Sequence, residues 1–135
     1  MALQYSVTVR NAQLDAVETT VGTAPLLRIY SGSAPANCAA AASGTLLAEA
    51  TLPSDWMAAA NSGSKALSGT WQDASANATG TAGHWRLYDS GGTTCHAQGT
   101  VTATGGGGDM TLDNTSIASG QSVTITSFTI TAGND

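Results

Sequence analysis

Positive charge is scarce in this chain. Of 135 residues only Arg10, Arg28, Lys65 and Arg86 are cationic, against nine Asp and Glu, for a net charge of −5. A nucleic-acid binder needs a basic footprint to offset phosphate repulsion, and four scattered cations do not make one. Anionic membrane surfaces are disfavoured for the same reason. No apolar run approaches the ~20 residues of a spanning helix. Residues 1–10 also lack the basic stretch followed by an apolar stretch that marks a secretory signal. The expectation is a chain with neither nucleic acid nor membrane as partner, and with no leader.

Large side chains are scarce too: three Trp, three Tyr and one Phe. A chain of this length reads as one domain, residues 1–135, with a modest core. That core must be anchored by the few aromatics, because Ala, Thr, Gly and Ser dominate the rest. Low charge with much Thr and Gly points to strands and turns with flat polar faces, which suit packing against other protein. Cysteine is limited to Cys38 and Cys95. Two readings stand: a pair of reduced, small apolar residues in a protein made in the cytosol, or one disulfide formed after release from the cell.

What the sequence does contain is one strand phrase written twice. Gly22-Thr23-Ala24-Pro25-Leu26-Leu27-Arg28-Ile29-Tyr30 and Gly80-Thr81-Ala82-Gly83-His84-Trp85-Arg86-Leu87-Tyr88 share Gly-Thr-Ala, then Arg, an aliphatic residue and Tyr at matching places. In each copy an apolar pair (Leu27 and Ile29; Trp85 and Leu87) alternates with a polar-tipped pair (Arg28 and Tyr30; Arg86 and Tyr88). Period two means one face in and one face out. The expectation is two corresponding strands, related by a pseudo-twofold axis. Arg28, Tyr30, Arg86 and Tyr88 should be displayed on the outer face, where Arg and Tyr favour protein interfaces.

The rest of the chain reads as follows. Ser6 caps a helix over 6–20, with Val7, Leu14, Val17 and Val21 on its buried face, and Gly22 stops it. Strands are expected at 26–30, 46–52 (Leu46, Ala48, Ala50 and Leu52 facing one way), 65–71, 84–88, 95–103 and from 109 to 112. A last strand over 123–131 changes apolar parity, which a bulge near Ser127 would reconcile. Seven or eight strands at regular spacing over 22–133 predict a mainly β domain, an antiparallel β-sandwich or jelly roll with one short N-terminal helix.

Signals for chemistry are weak. His84 and His96 with Cys38 and Cys95 lack the spacing of a zinc site. There is no Gly-x-Ser-x-Gly elbow for a hydrolase, and Gly105–Gly108 has no following Lys and opens no helix, so it is not a phosphate loop. Asp109, Thr111 and Asp113 could offer oxygens to calcium, but solvated edge residues read the same way. Trp56, Trp71 and Trp85 could stack a sugar, but serve equally as core anchors. No catalytic residue, metal or cofactor is expected.

Several strings carry a resemblance: Leu26-Leu27-Arg28-Ile29-Tyr30-Ser31-Gly32, then Pro35-Ala36 and Gly44-Thr45-Leu46-Leu47-Ala48-Glu49, with an opening Val9-Arg10-Asn11-Ala12 and a closing Gly120-Gln121-Ser122-Val123 and Thr129-Ile130. Together they make nearly the whole chain resemble a family of small virion proteins of tailed bacteriophages. The resemblance implies a non-enzymatic structural role in the virion, assembled in the host cytoplasm. It points to a capsid cement or decoration protein that binds the major capsid protein as a homo-oligomer. The alternatives are a tail, neck or fibre component, or, outside the family, a carbohydrate-binding module.

Overall fold

A computed structural model describes residues 3–133. The chain runs α1 (Val7–Val21), β1 (Leu26–Ser31), β2 (Leu46–Thr51), β3 (Ser64–Ala66), β4 (Trp71–Asp73), β5 (Gly80–Tyr88), β6 (Cys95–Ala103), β7 (Met110–Leu112), β8 (Ser116–Ile117), β9 (Val123–Ile125) and β10 (Thr129–Thr131). The fold is therefore mainly β with one short helix.

The helix begins where a side chain can satisfy its free amide groups. Ser6 Oγ accepts from the Val9 amide at 3.2 Å, the role of an N-cap. It ends at Gly22, whose φ of +92° suits a residue without Cβ and whose N–H returns to the Glu18 carbonyl. The expected apolar face is corrected. Leu14 and Val21 are buried, but Val7 and Val17 are exposed. The helix is held instead by its polar residues. Lys65 on β3 is 2% exposed, and its Nζ lies 2.7 Å from Asp15 and 2.9 Å from Glu18. Asp15 also accepts from the Ala60 amide, Glu18 from the Met57 amide and Asn11 from the Gly63 amide. A buried ammonium must be paired, and two carboxylates one helical turn apart can both reach it.

The main sheet has the order β2-β1-β5-β6-β7, with β8 added to the start of β5. All its pairs are antiparallel except β6–β7, which is parallel. The two repeated phrases pair with each other at its centre. Arg28 faces Arg86, its counterpart in the other phrase, with Leu27 opposite Leu87 and Ile29 opposite Trp85. A local twofold axis thus passes through the Arg28–Arg86 pair and relates β2 to β6 on the flanks. The repeat shares burial parity: Leu27, Ile29, Trp85 and Leu87 all face the core.

Two ribbons, β3–β10 and β4–β9, complete the strand pairing. They explain the parity change near the C-terminus. The bulge expected near Ser127 is a full break, and β9 and β10 are separate strands with different partners. The strand expected over 65–71 likewise divides into β3 and β4. In β2 the pairing skips Leu47, so Leu46 pairs with Tyr30 and Leu47 takes its place in the core, while Ala48, Ala50 and Leu52 are buried as expected.

Between the sheet and the ribbons lies an aromatic chain. Trp56 meets Trp71 at 5.9 Å, Trp71 meets Phe128 at 5.6 Å, and Phe128 meets Trp85 edge-on at 5.4 Å. The indole N–H groups of Trp56 and Trp71 donate to the carbonyls of Gly22 and Trp56. These rings are the largest side chains in a core otherwise built from Leu, Ile, Val, Ala and Met.

Candidate functional site

The second face of the central strands carries the residues singled out from the repeat. Their expected display on an open surface is corrected: Arg86 is 1% exposed, Tyr30 and Tyr88 are buried, and Arg28 is half-buried. The physical reason is the segment 32–45, which folds over this face. Its carbonyls serve the side chains beneath. His84 Nδ1 meets the Gly32 carbonyl at 2.8 Å, Arg86 Nη2 donates to the carbonyls of Cys38 (2.8 Å) and Ala40 (3.0 Å), and Gln98 donates to that of Pro35.

Beneath this cover the layer is polar and aromatic. Tyr30 stacks on its cross-strand neighbour His84, with centroids 5.2 Å apart and planes 9° apart. Burial, then a hydrogen bond with Tyr88, pushes the Tyr30 phenol above its ordinary range. The Tyr88 ring takes both guanidinium groups, Arg28 at 4.5 Å and Arg86 at 5.6 Å from its centroid, a cation–π arrangement. The two arginines differ in their flanking partners. Across β2, Arg28 meets Glu49, and its Nε lies 2.6 Å from the carboxylate. Across β6, the equivalent position is the neutral Gln98. Arg86 has no carboxylate among its hydrogen-bond partners. Its Nε donates to Cys95 Sγ at 3.3 Å, and Nη1 has no partner.

The two cysteines converge on this guanidinium. Cys38 comes from the covering segment and Cys95 opens β6. Both are free thiols, half-buried, and line one cleft of about 260 Å³ with Ala40, Arg86, Tyr88 and Thr93. Burial, then a hydrogen bond with Cys95, pushes the Cys38 thiol up to about 11.

Other candidates disperse. Among the described residues no three His, Cys, Asp or Glu side chains gather to hold a metal ion. His84 is buried, and His96 lies in β6. Asp109 accepts from the amide and hydroxyl of Thr100, an ordinary edge contact. All three Trp are buried, so none offers a face to a sugar. Among the described residues no helix is long and apolar enough to cross a membrane.

Two features were missed in the sequence. One is the buried Lys65 with Asp15 and Glu18; the spacing of the two carboxylates was a signal, but nothing local placed Lys65 opposite them. The other is a set of exposed apolar side chains: Leu3 (65% exposed) ahead of α1, and Val7 (46%), Val9 (41%) and Val17 on it. Comparison of the chain with protein-family models, with curated proteins and with solved structures finds no match.

Proposed function

We propose that this chain is a non-enzymatic structural protein of a tailed-phage particle, and that it acts as a capsid cement or decoration protein, bound as a homo-oligomer to the major capsid protein. The observation that carries the reading is the exposure of Leu3, ahead of α1, and of Val7, Val9 and Val17 on a helix whose buried residues are Leu14 and Val21. Exposed large apolar side chains gathered near the N-terminal end mark a protein contact. The resemblance of the strings in β1, β2 and the closing segment to small virion proteins supports the same reading. So does the net charge of −5, which repels packaged DNA. A protein repeated over a shell needs only a modest contact per copy, because retention grows with multivalency.

The finer fold belongs to the same proposal. The main sheet forms one layer and the two ribbons the other, with the aromatic chain between them, as in an irregular β-sandwich. The contact surface is α1 rather than the strand edge at β2. There Asn77 and Ala78 donate to the Leu47 carbonyl, and Asp73 accepts from the Glu49 amide, so added-strand pairing is blocked.

The test is copy number and position in purified particles. A cement protein is present at hundreds of copies on full heads. Tens of copies retained on isolated tails would assign it to the tail, neck or fibre. Absence from particles would end the structural reading.

A further inference from the structure

Arg86 is the one fully buried cation in the central sheet among the described residues, and its surroundings supply no carboxylate. Carbonyls of Cys38 and Ala40 take Nη2, the Cys95 sulfur takes Nε, and Nη1 is unpartnered. At the floor of a cleft open to solvent the guanidinium donates to the Cys95 sulfur, where it can offset negative charge developing during attack. The same guanidinium donates to the main-chain carbonyls of Cys38 and Ala40 and so holds Cys38 beside Cys95. The twofold partner Arg28 has Glu49 and no thiol, so the arrangement is specific to this side of the sheet.

We propose that Cys38 and Cys95 form an oxidisable dithiol site, in which Cys95 attacks a small-molecule disulfide and Cys38 resolves the product to an intramolecular disulfide pinning the 32–45 segment to β6. With oxidised glutathione the steps balance. Cys95 gives its proton to solvent, its sulfur bonds one glutathione sulfur, and the glutathione S–S bond breaks with the electron pair leaving on the other. Cys38 then loses its proton, bonds the Cys95 sulfur and expels the second glutathione thiolate. The dithiol is oxidised by two electrons, and one glutathione disulfide becomes two thiols, which take up two protons.

The order follows from the contacts. Charge developing on the Cys95 sulfur lies 3.3 Å from Arg86 Nε. Burial and the hydrogen bond with Cys95 keep Cys38 protonated. Once Cys95 carries glutathione, its hydrogen bond and charge no longer raise the Cys38 thiol, and burial is the cause that still does.

The test incubates the folded chain with oxidised glutathione and reads thiols and mass under denaturing, non-reducing conditions. The expected result is loss of both thiols, a monomer lighter by two hydrogens, and no attached glutathione. Cys38→Ser should trap one glutathione on Cys95. Cys95→Ser should be modified at least about tenfold more slowly. Two thiols surviving in the wild-type chain, or disulfide-linked dimers in place of the monomer, would overturn the site. Equal rates for the two variants would overturn the assignment of Cys95 as the attacking residue.

Discussion

Arg28 and Arg86 stand directly opposite each other on neighbouring central strands, and Tyr88 lies against both guanidinium groups. Like charges so placed repel. The pair is tolerated because each cation has a separate sink: Glu49 for Arg28, and main-chain carbonyls with the Cys95 sulfur for Arg86.

The two arginines should therefore respond differently to charge reversal. Arg86→Glu places a carboxylate among buried carbonyls and should cost about 3–5 kcal/mol. Arg28→Glu, at a half-exposed site, should cost about 1 kcal/mol. Urea unfolding of the two variants measures the difference; equal losses would mean that the covering segment does not seal Arg86.

The helix anchor sets a pH dependence. The Lys65 hydrogen bond, then that of the Ala60 amide, lowers the Asp15 carboxyl below its ordinary 3.8. A lowered carboxyl contributes stability present above its unfolded value and lost as pH falls through the folded one. Burial works against the Lys65 charge, but Asp15 and then Glu18 more than offset it and raise the ammonium above 10.5. That contribution is present below 10.5 and fades as pH rises through the folded value. The contribution of this anchor should thus be flat between these limits, falling below about pH 4 and again above about pH 10.5. Asp15→Asn should blunt the acid limb in melting curves taken across pH; an unchanged acid limb would remove the pair as its cause.

Phe128 joins Trp71 to Trp85 across the core. Phe128→Ala should cost about 3–5 kcal/mol and increase the solvent quenching of Trp fluorescence. A loss under about 1 kcal/mol would mean that the ribbons are not held through this ring.

Gly83 is required by a close approach. A Cβ there would fall on the Gly32 carbonyl oxygen, where the covering segment leaves β1. Main-chain atoms cannot swing aside as a flexible side chain can, so Gly83→Ala should cost about 3 kcal/mol, the upper range for overpacking. Chemical denaturation checks this; a neutral substitution would show that the segment can lift.

Val9→Ser with Val17→Ser alters only exposed positions and should change stability by no more than about 0.5 kcal/mol each. On the proposed function, the same variant should lose occupancy on particles. Full occupancy would exclude this face as the contact.

Local pattern and punctuation determined the elements from sequence alone. Ser6 and Gly22 bound the helix because capping is satisfied within a few residues. The alternation in Leu27–Tyr30 and Trp85–Tyr88 marked two strands of equal parity, and Cys95–Ala103 was legible as a further strand. Tertiary structure decided what covers each face. Period two separates two sides of a strand but does not say whether the polar side meets water or another segment. Here residues 32–45, without strand or helix signal of their own, close over Arg86 and Tyr88 and bring Cys38 to Cys95. The same limit applied to the helix, where Leu14 and Val21 are buried as read but Val7 and Val17 are not. Its polar residues face the fold because Lys65, fifty positions beyond Asp15, lies there as a buried cation, and Val7, Val9 and Val17 were left outside.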